Sequence, residues 1–226
     1  MRYNKFLFKE TLFLILLYIV GIAATFIMHS LWFKEEPLSN MLISTTQTSA
    51  WLITSYIFFI DMNNQMISRL IINGGTRSKI WISKAITVIL TAVVMTSIQA
   101  AVIIIDRGGL SGCSDQIIQV SVMTLLLTTF IGALTALLCV LIKNMGVVVM
   151  LVFAYICPWT YIIAANYCEK SKHLFIKSNP FYSLLKMSNT GILNKMSIIL
   201  CCITGLVLWA VSLVIIQRKE LKEDNG

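Results

Sequence analysis

Charge is what this 226-residue chain has least of. Asp, Glu, Lys and Arg together make up 12% of it, about half the share found in an ordinary soluble domain. Its charges sit in short clusters between long stretches that carry none. With 58% apolar residues, this pattern excludes a water-soluble enzyme and a disordered chain. Zinc-type spacing is also missing: the six cysteines include no CxxC and no Cys/His pairing suited to a metal. Four of them lie in the interior of apolar stretches, where Cys behaves as a small hydrophobe, and Cys168 ends one, so a disulfide-stapled secreted domain is excluded too. There is no GxSxG and no HExxH. Gly-Gly-Thr-Arg-Ser-Lys at 74–79 is not a phosphate-binding loop, because that loop needs GxxxxGK[ST] after a strand.

What is present is a set of apolar runs. A hydrocarbon core of about 30 Å needs roughly 20 helical residues. Six stretches of that order lack Asp, Glu, Lys and Arg: Thr11–Phe33, Met41–Ile60, Ala85–Ile105, Gln116–Ile142, Asn144–Cys168 and Met196–Gln217. The second has a polar outer end, Ser44–Ser49. The fourth and fifth meet at Lys143-Asn144 and require a tight helical hairpin. Runs this long without alternation exclude barrel strands, and the first lacks the cleavage site of a signal peptide. The expectation is one all-α integral membrane domain, 1–226, with six transmembrane helices.

Orientation follows Lys and Arg in short loops. With both termini in the cytoplasm, eleven basic residues lie inside and seven outside, five of those seven in the 169–195 segment. The net charge of +8 therefore reads as topology and contact with anionic membrane lipids, not with nucleic acid.

The connections carry the candidate sites. Arg2, Lys5 and Lys9 fall on one helical face, which reads either as a short interfacial helix on the inner membrane surface or as a charged flank of the first span. Asp61–Lys84 is the longest cytoplasmic connection. Helix is expected to continue to Asn73, to end at Gly74-Gly75 and to restart after a Thr76 cap with Arg77 and Lys79. The result is a helix–turn–helix elbow with four basic residues (Arg69, Arg77, Lys79, Lys84) and one acidic, Asp61. In 169–195, Asn179-Pro180 opens a short helix, at the outer surface or dipping into it. Gly132 with Ala133 and Ala136, and Gly205 with Ala210, offer small faces for close helix approach. Among the spans the one ionisable side chain is His29, near the end of its helix, which gives proton-coupled transport little support. Cys168 and His173 form a weak Cys–His pair, and Cys113 and Cys168 are both placed outside, where a disulfide between them stays open.

The elbow from Arg69 through Gly74-Gly75-Thr76-Arg77-Ser78-Lys79 to Lys84 and the Asn179-Pro180-Phe181 triplet resemble signatures of the membrane subunit of ABC-2-type transporters. Asp61 stands where much of that family carries Glu. The layout resembles the family along the whole chain, the motifs only in these two places. The resemblance implies an ABC-2-type exporter topology and a permease subunit without an ATPase site. Its partners would be a separate ABC ATPase, which binds ATP and Mg, and a second permease copy or paralogue. It implies a bacterial plasma membrane location and, for members of this size, peptide-antibiotic export or self-protection. The elbow would dock on the ATPase, with the substrate path lined by the second and fifth spans. The uncharged spans suit an amphipathic or lipid-like cargo. The rival readings are a stand-alone membrane immunity or interaction protein and an integral membrane peptidase using Cys168 and His173.

Overall fold

The computed structural model describes residues 2–33, 35–63, 76–109, 113–142, 144–170 and 179–224. Every regular element among them is a helix: α1 (Arg2–Leu31), α2 (Leu38–Asn63), α3 (Arg77–Asp106), α4 (Ser114–Leu141), α5 (Met145–Ile156), α6 (Pro158–Lys170), α7 (Pro180–Thr190) and α8 (Lys195–Asp224). Four are long and apolar enough to cross a membrane, at Leu12–Leu31, Arg77–Asp106, Ser114–Leu141 and Lys195–Arg218. A fifth crossing exists if α5 and α6, bent by 58° at their junction, count as one. The chain thus carries the helices of a multi-pass membrane protein.

α1 runs unbroken from Arg2 to Leu31. Residues 2–10 are helical and continuous with the segment Leu12–Leu31, because no Gly or Pro precedes Gly21 to interrupt the helix. The side chains of Arg2, Lys5 and Lys9 lie outside the described residues.

α2 has too many polar residues to reach the hydropathy of the four membrane-length helices, yet it lies at the centre of the bundle. Leu42, Ile43, Thr46, Ala50, Thr54 and Ile57 are all fully enclosed, packed against α4, α1, α5 and α3. Inside the bundle its polar groups find partners that lipid would not supply. The Gln99 side chain of α3 donates to Leu42 O at 3.2 Å and to Thr46 Oγ1, and accepts from Thr124 Oγ1 of α4. Trp51 Nε1 donates to Val149 O of α5 at 3.0 Å.

The fifth apolar run is one stretch in sequence but two helices in space. Pro158 has no N–H to offer Ala154 O, its partner four residues back. The Thr160 hydroxyl supplies the missing bond to Ala154 O. Cys157 turns extended (φ −60°, ψ 136°), and the carbonyl of Ile156 accepts from Gln47 Nε2 of α2. The α4–α5 hairpin forms at Ile142–Asn144, where Asn144 accepts from the N–H groups of Gly146 and Val147 at 3.0 and 3.4 Å.

α7 caps the end of the bundle that holds the α1–α2 turn. Asn179 accepts from Phe181 N at 2.9 Å, and Pro180 occupies the first turn, where its missing N–H is not needed. One face of α7 (Tyr182, Leu184, Leu185, Met187) is buried against α2, α4, α6 and α8, so α7 packs on protein as well as facing outward.

α7 ends at Gly191, whose φ of 68° lies in the left-handed region and whose carbonyl accepts from Gln119 Nε2. A Cβ there would stand 2.2 Å from Asn40 Oδ1. Gly191→Ala is therefore expected to cost about 1–2 kcal/mol from the backbone alone, with displacement of Asn40 on top. The check is the thermal midpoint of the purified chain, and an unchanged midpoint would refute the tight approach.

Candidate functional site

The residues singled out in the elbow divide into three groups. Arg69, Gly74 and Gly75 lie outside the described residues. Asp61 falls in the last turn of α2 and its side chain is likewise outside them. The others open α3. Thr76 takes extended backbone (φ −88°, ψ 146°) and its hydroxyl accepts from Lys79 N at 3.3 Å, so it is the N-cap. Arg77 is half-buried and Lys79 exposed.

Lys84 differs from its neighbours, with only 1% of its surface accessible. Seven residues after Arg77 it stands about two turns into α3, within the apolar part of the bundle. Its ammonium lies 4.9 Å from the ring centre of Phe58 on α2 and 5.6 Å from that of Trp81 on α3. Two aromatic faces in a desolvated site attract a cation by about 2 kcal/mol or more, which offsets part of the cost of burying it.

The box is tied together beyond the cation. Phe58 and Trp81 rings are 5.1 Å apart, and Trp209 of α8 stands 6.1 Å from Phe58. Trp81 Nε1 donates to Ser212 Oγ at 3.0 Å, and Ser212 Oγ donates to Trp209 O at 2.8 Å. Phe58 precedes the 64–75 connection and Trp81 follows it. One cluster therefore ties the end of α2 and the start of α3 to each other and to α8. Sequence reading selected Lys84 but missed Phe58, Trp81, Trp209 and Ser212. The signal for one of them was present: Trp81 and Lys84 are three residues apart, so they face each other on a helix.

At the opposite end, Phe181 forms an aromatic trio with Phe130 of α4 and Tyr155 of α5, ring centres 5.3 and 5.9 Å away. Tyr155 also donates to Phe181 O at 2.9 Å. Lys186 Nζ and Tyr182 Oη both donate to Glu169 Oε1, at 2.8 and 2.9 Å, which clasps α7 to α6. Burial and the bond to Glu169 raise the Tyr182 pKa above the ordinary phenol range, and the same carboxylate raises that of Lys186. The clasp keeps its protons at every physiological pH.

The remaining candidates separate. His29 Nε2 donates to Glu36 O at 3.0 Å and closes the turn between α1 and α2. Cys168 is buried in α6, and His173 lies outside the described residues. No disulfide joins Cys113 and Cys168, and the Cys113 thiol donates to Gly109 O at 3.3 Å. Among the described residues no cluster of His, Cys, Asp and Glu could hold a metal ion. Of the two glycine faces, Gly132 makes the close approach. A Cβ there would stand 2.7 Å from Val88 Cγ1, whereas one at Gly205 would make ordinary contact with Phe130 at 3.8 Å.

No protein-family model, no curated protein and no solved structure matches this chain.

Proposed function

We propose that the chain is the membrane subunit of an ATP-driven exporter of the ABC-2 type, carrying an amphipathic or hydrophobic cargo such as a peptide or lipid-like compound. ATP and Mg bind on a separate ATPase subunit, and a second permease copy or paralogue completes the pathway. In this reading α1, α2, α3, α4, the bent α5–α6 pair and α8 make six crossings of a bacterial plasma membrane, with both ends in the cytoplasm.

The observation that supports it is the Lys84 box. A cytoplasmic elbow transmits force only if its two legs are fixed to each other and to the rest of the bundle. Phe58, Trp81, Lys84 and Ser212 make that attachment at the root of the 64–75 connection. Arg77 and Lys79, at the start of α3, would offer charge to an acidic surface on the ATPase. The greasy, uncharged spans suit a cargo that is itself partly apolar.

The test is co-purification of the full chain with an ABC ATPase encoded beside it, then cargo-stimulated ATP hydrolysis in liposomes. Gly75→Pro is expected to remove the stimulation and Cys168→Ala to leave it. If the chain performs its task in cells lacking any ATPase partner, the stand-alone immunity reading replaces this one. If Cys168→Ala alone abolishes activity, the peptidase reading does.

A further inference from the structure

A cavity of about 480 Å³ lies between the end of α6, one side of α7 and the first turn of α8. The apolar crossing segment Lys195–Arg218 starts at that turn, so the cavity opens where hydrocarbon gives way to water. α8 begins with an unmet electrostatic preference. Asn194 Oδ1 caps it, accepting from Met196 N at 3.0 Å, but its first residue is Lys195 and its first turn holds no acidic side chain. Aligned peptide dipoles make that end positive and favour an anion there.

A second observation is independent of the helix end. Ser183 of α7 lines the same cavity and is only 6% exposed, yet its hydroxyl meets no partner among the described residues. Ser188 and Thr190 on the same helix return their protons to Leu185 O and Lys186 O. Ser183 does not, although an enclosed hydroxyl is normally paired. One turn on, Lys186 gives one N–H to Glu169 Oε1 at 2.8 Å and has two more. Asn194 caps through Oδ1, which leaves its amide N–H groups uncommitted. Glu169 is the one acidic residue of the described lining, and both Lys186 and Tyr182 donate to it. The adjoining 171–178 lies outside the described residues, and its charged side chains, Lys172 and Lys177, are basic.

An apolar cavity of about 260 Å³ is lined by Ile89 of α3, Leu126 and Phe130 of α4, and Cys201, Gly205 and Trp209 of α8. Ser197 lines the polar cavity. Ser197, Cys201, Gly205 and Trp209 follow at steps of four and share one ridge of α8, so the two cavities are one helical turn, about 6 Å, apart along it. A free phosphate or an acidic peptide would use the donors and leave the apolar cavity empty, and a plain hydrocarbon would do the reverse. We propose that the two cavities together hold one membrane glycerophospholipid, its phosphodiester at Lys186, Ser183 and the first turn of α8 and an acyl chain against Gly205. An ammonium, a hydroxyl and a helix N-terminus are groups suited to phosphate. This goes beyond the transporter reading and does not depend on it, since lipid binding requires no ATPase.

The test is titration of the full, delipidated chain in detergent with dioleoylphosphatidylglycerol, bound lipids being counted by native mass spectrometry. One saturable lipid per chain is expected. Dioleoylglycerol, which lacks the phosphate, and glycerophosphoglycerol, which lacks the chains, should each bind about tenfold more weakly or worse. Lys186→Gln should weaken lipid binding about fivefold or more. Glu169→Gln breaks the same ion pair but removes the negative charge, so binding should hold or tighten. Ser183→Ala removes an unpartnered hydroxyl, so the thermal midpoint of the lipid-free chain should not fall while lipid binding weakens. Cys202 is exposed and lines the apolar cavity, so Cys202→Phe should leave the fold intact and weaken the lipid without affecting glycerophosphoglycerol. Equal binding of glycerophosphoglycerol and lipid would overturn the proposal in favour of a free phosphate ester. Equal binding of dioleoylglycerol would reduce the site to apolar contact. Non-saturable binding, or equal losses in Lys186→Gln and Glu169→Gln, would also overturn it.

Discussion

Lys84→Met is expected to yield a folded, membrane-inserted protein in which cargo-stimulated ATP hydrolysis falls at least tenfold. The side chain is unbranched and close in length, so Met can fill the space between Phe58 and Trp81 and pack against both rings. What is lost includes the attraction of a desolvated cation to two aromatic faces, about 2 kcal/mol or more, and a further interaction that Lys84 makes besides the rings. What is recovered is the several kcal/mol spent in burying the charge. These terms oppose each other, so the thermal midpoint is expected to fall proportionally less than the stimulated hydrolysis does, while the grip between α2 and α3 loosens.

Lys84→Asp is the contrasting case. It places an anion against the negative faces of the same rings in a site that 1% of accessible surface leaves dry. The expected outcome is loss of the monodisperse species in size-exclusion chromatography. Lys84→Arg, which keeps a cation able to stack on the rings, should retain more stimulation than Lys84→Met. Thermal midpoints and ATPase rates of the three variants decide the matter. Full stimulation in Lys84→Met would show that the box holds the fold together and transmits nothing.

The second large effect is expected at Gly132. A Cβ at that position would lie 2.7 Å from Val88 Cγ1, 3.4 Å from Val88 Cγ2 and 3.6 Å from Thr54 Cγ2. The first distance is shorter than real Cβ contacts allow, and Val88 is itself fully buried with no open side to move toward. Overpacking of this kind costs typically about 1–3 kcal/mol. Gly132→Ala is therefore expected to lower the thermal midpoint by several degrees. Val88→Ala in the same chain should restore most of the loss, a coupling that a double-mutant cycle reads directly. Gly205→Ala serves as the control, because its new methyl would meet Phe130 at an ordinary 3.8 Å. Equal effects at the two glycines would contradict the close crossing of α3 and α4.

These two glycines mark the boundary of what sequence conveys. Both stand among small residues in an apolar run, and nothing local tells them apart. One is pressed against Val88 and the other faces Phe130 across normal contact. Lys84 is a similar case. In sequence it is one of four basic residues in the elbow, whereas in space it lies shut inside aromatic walls, unlike Arg77 and Lys79. The polar end of α2 pointed away from its place as well. Ser44–Ser49 weakens it as a span by composition, yet Thr46 and Gln47 are where the bundle closes on itself, one bonded to Gln99 and the other satisfying the orphaned carbonyl at the α5–α6 bend. Reading by length takes Asn144–Cys168 as one span, although Pro158 in mid-run carries the signal of the bend. The partner that accommodates the bend, Gln47, lies 109 residues away in the chain, beyond the reach of any local pattern.

The sequence by itself determined that this protein is helical and built for a membrane, and where helices begin after Thr76, Asn144 and Asn179. Those are local matters: in an apolar run each backbone N–H and C=O must be satisfied within its own segment, and a cap needs one side chain two or three residues from the N–H it accepts. Tertiary structure alone decided that α2, less apolar than the four membrane-length helices, is the central one, and that Lys84 is caged. Those outcomes depend on which helical faces meet. That is settled between residues far apart in the chain, by packing and by competition for hydrogen-bond partners.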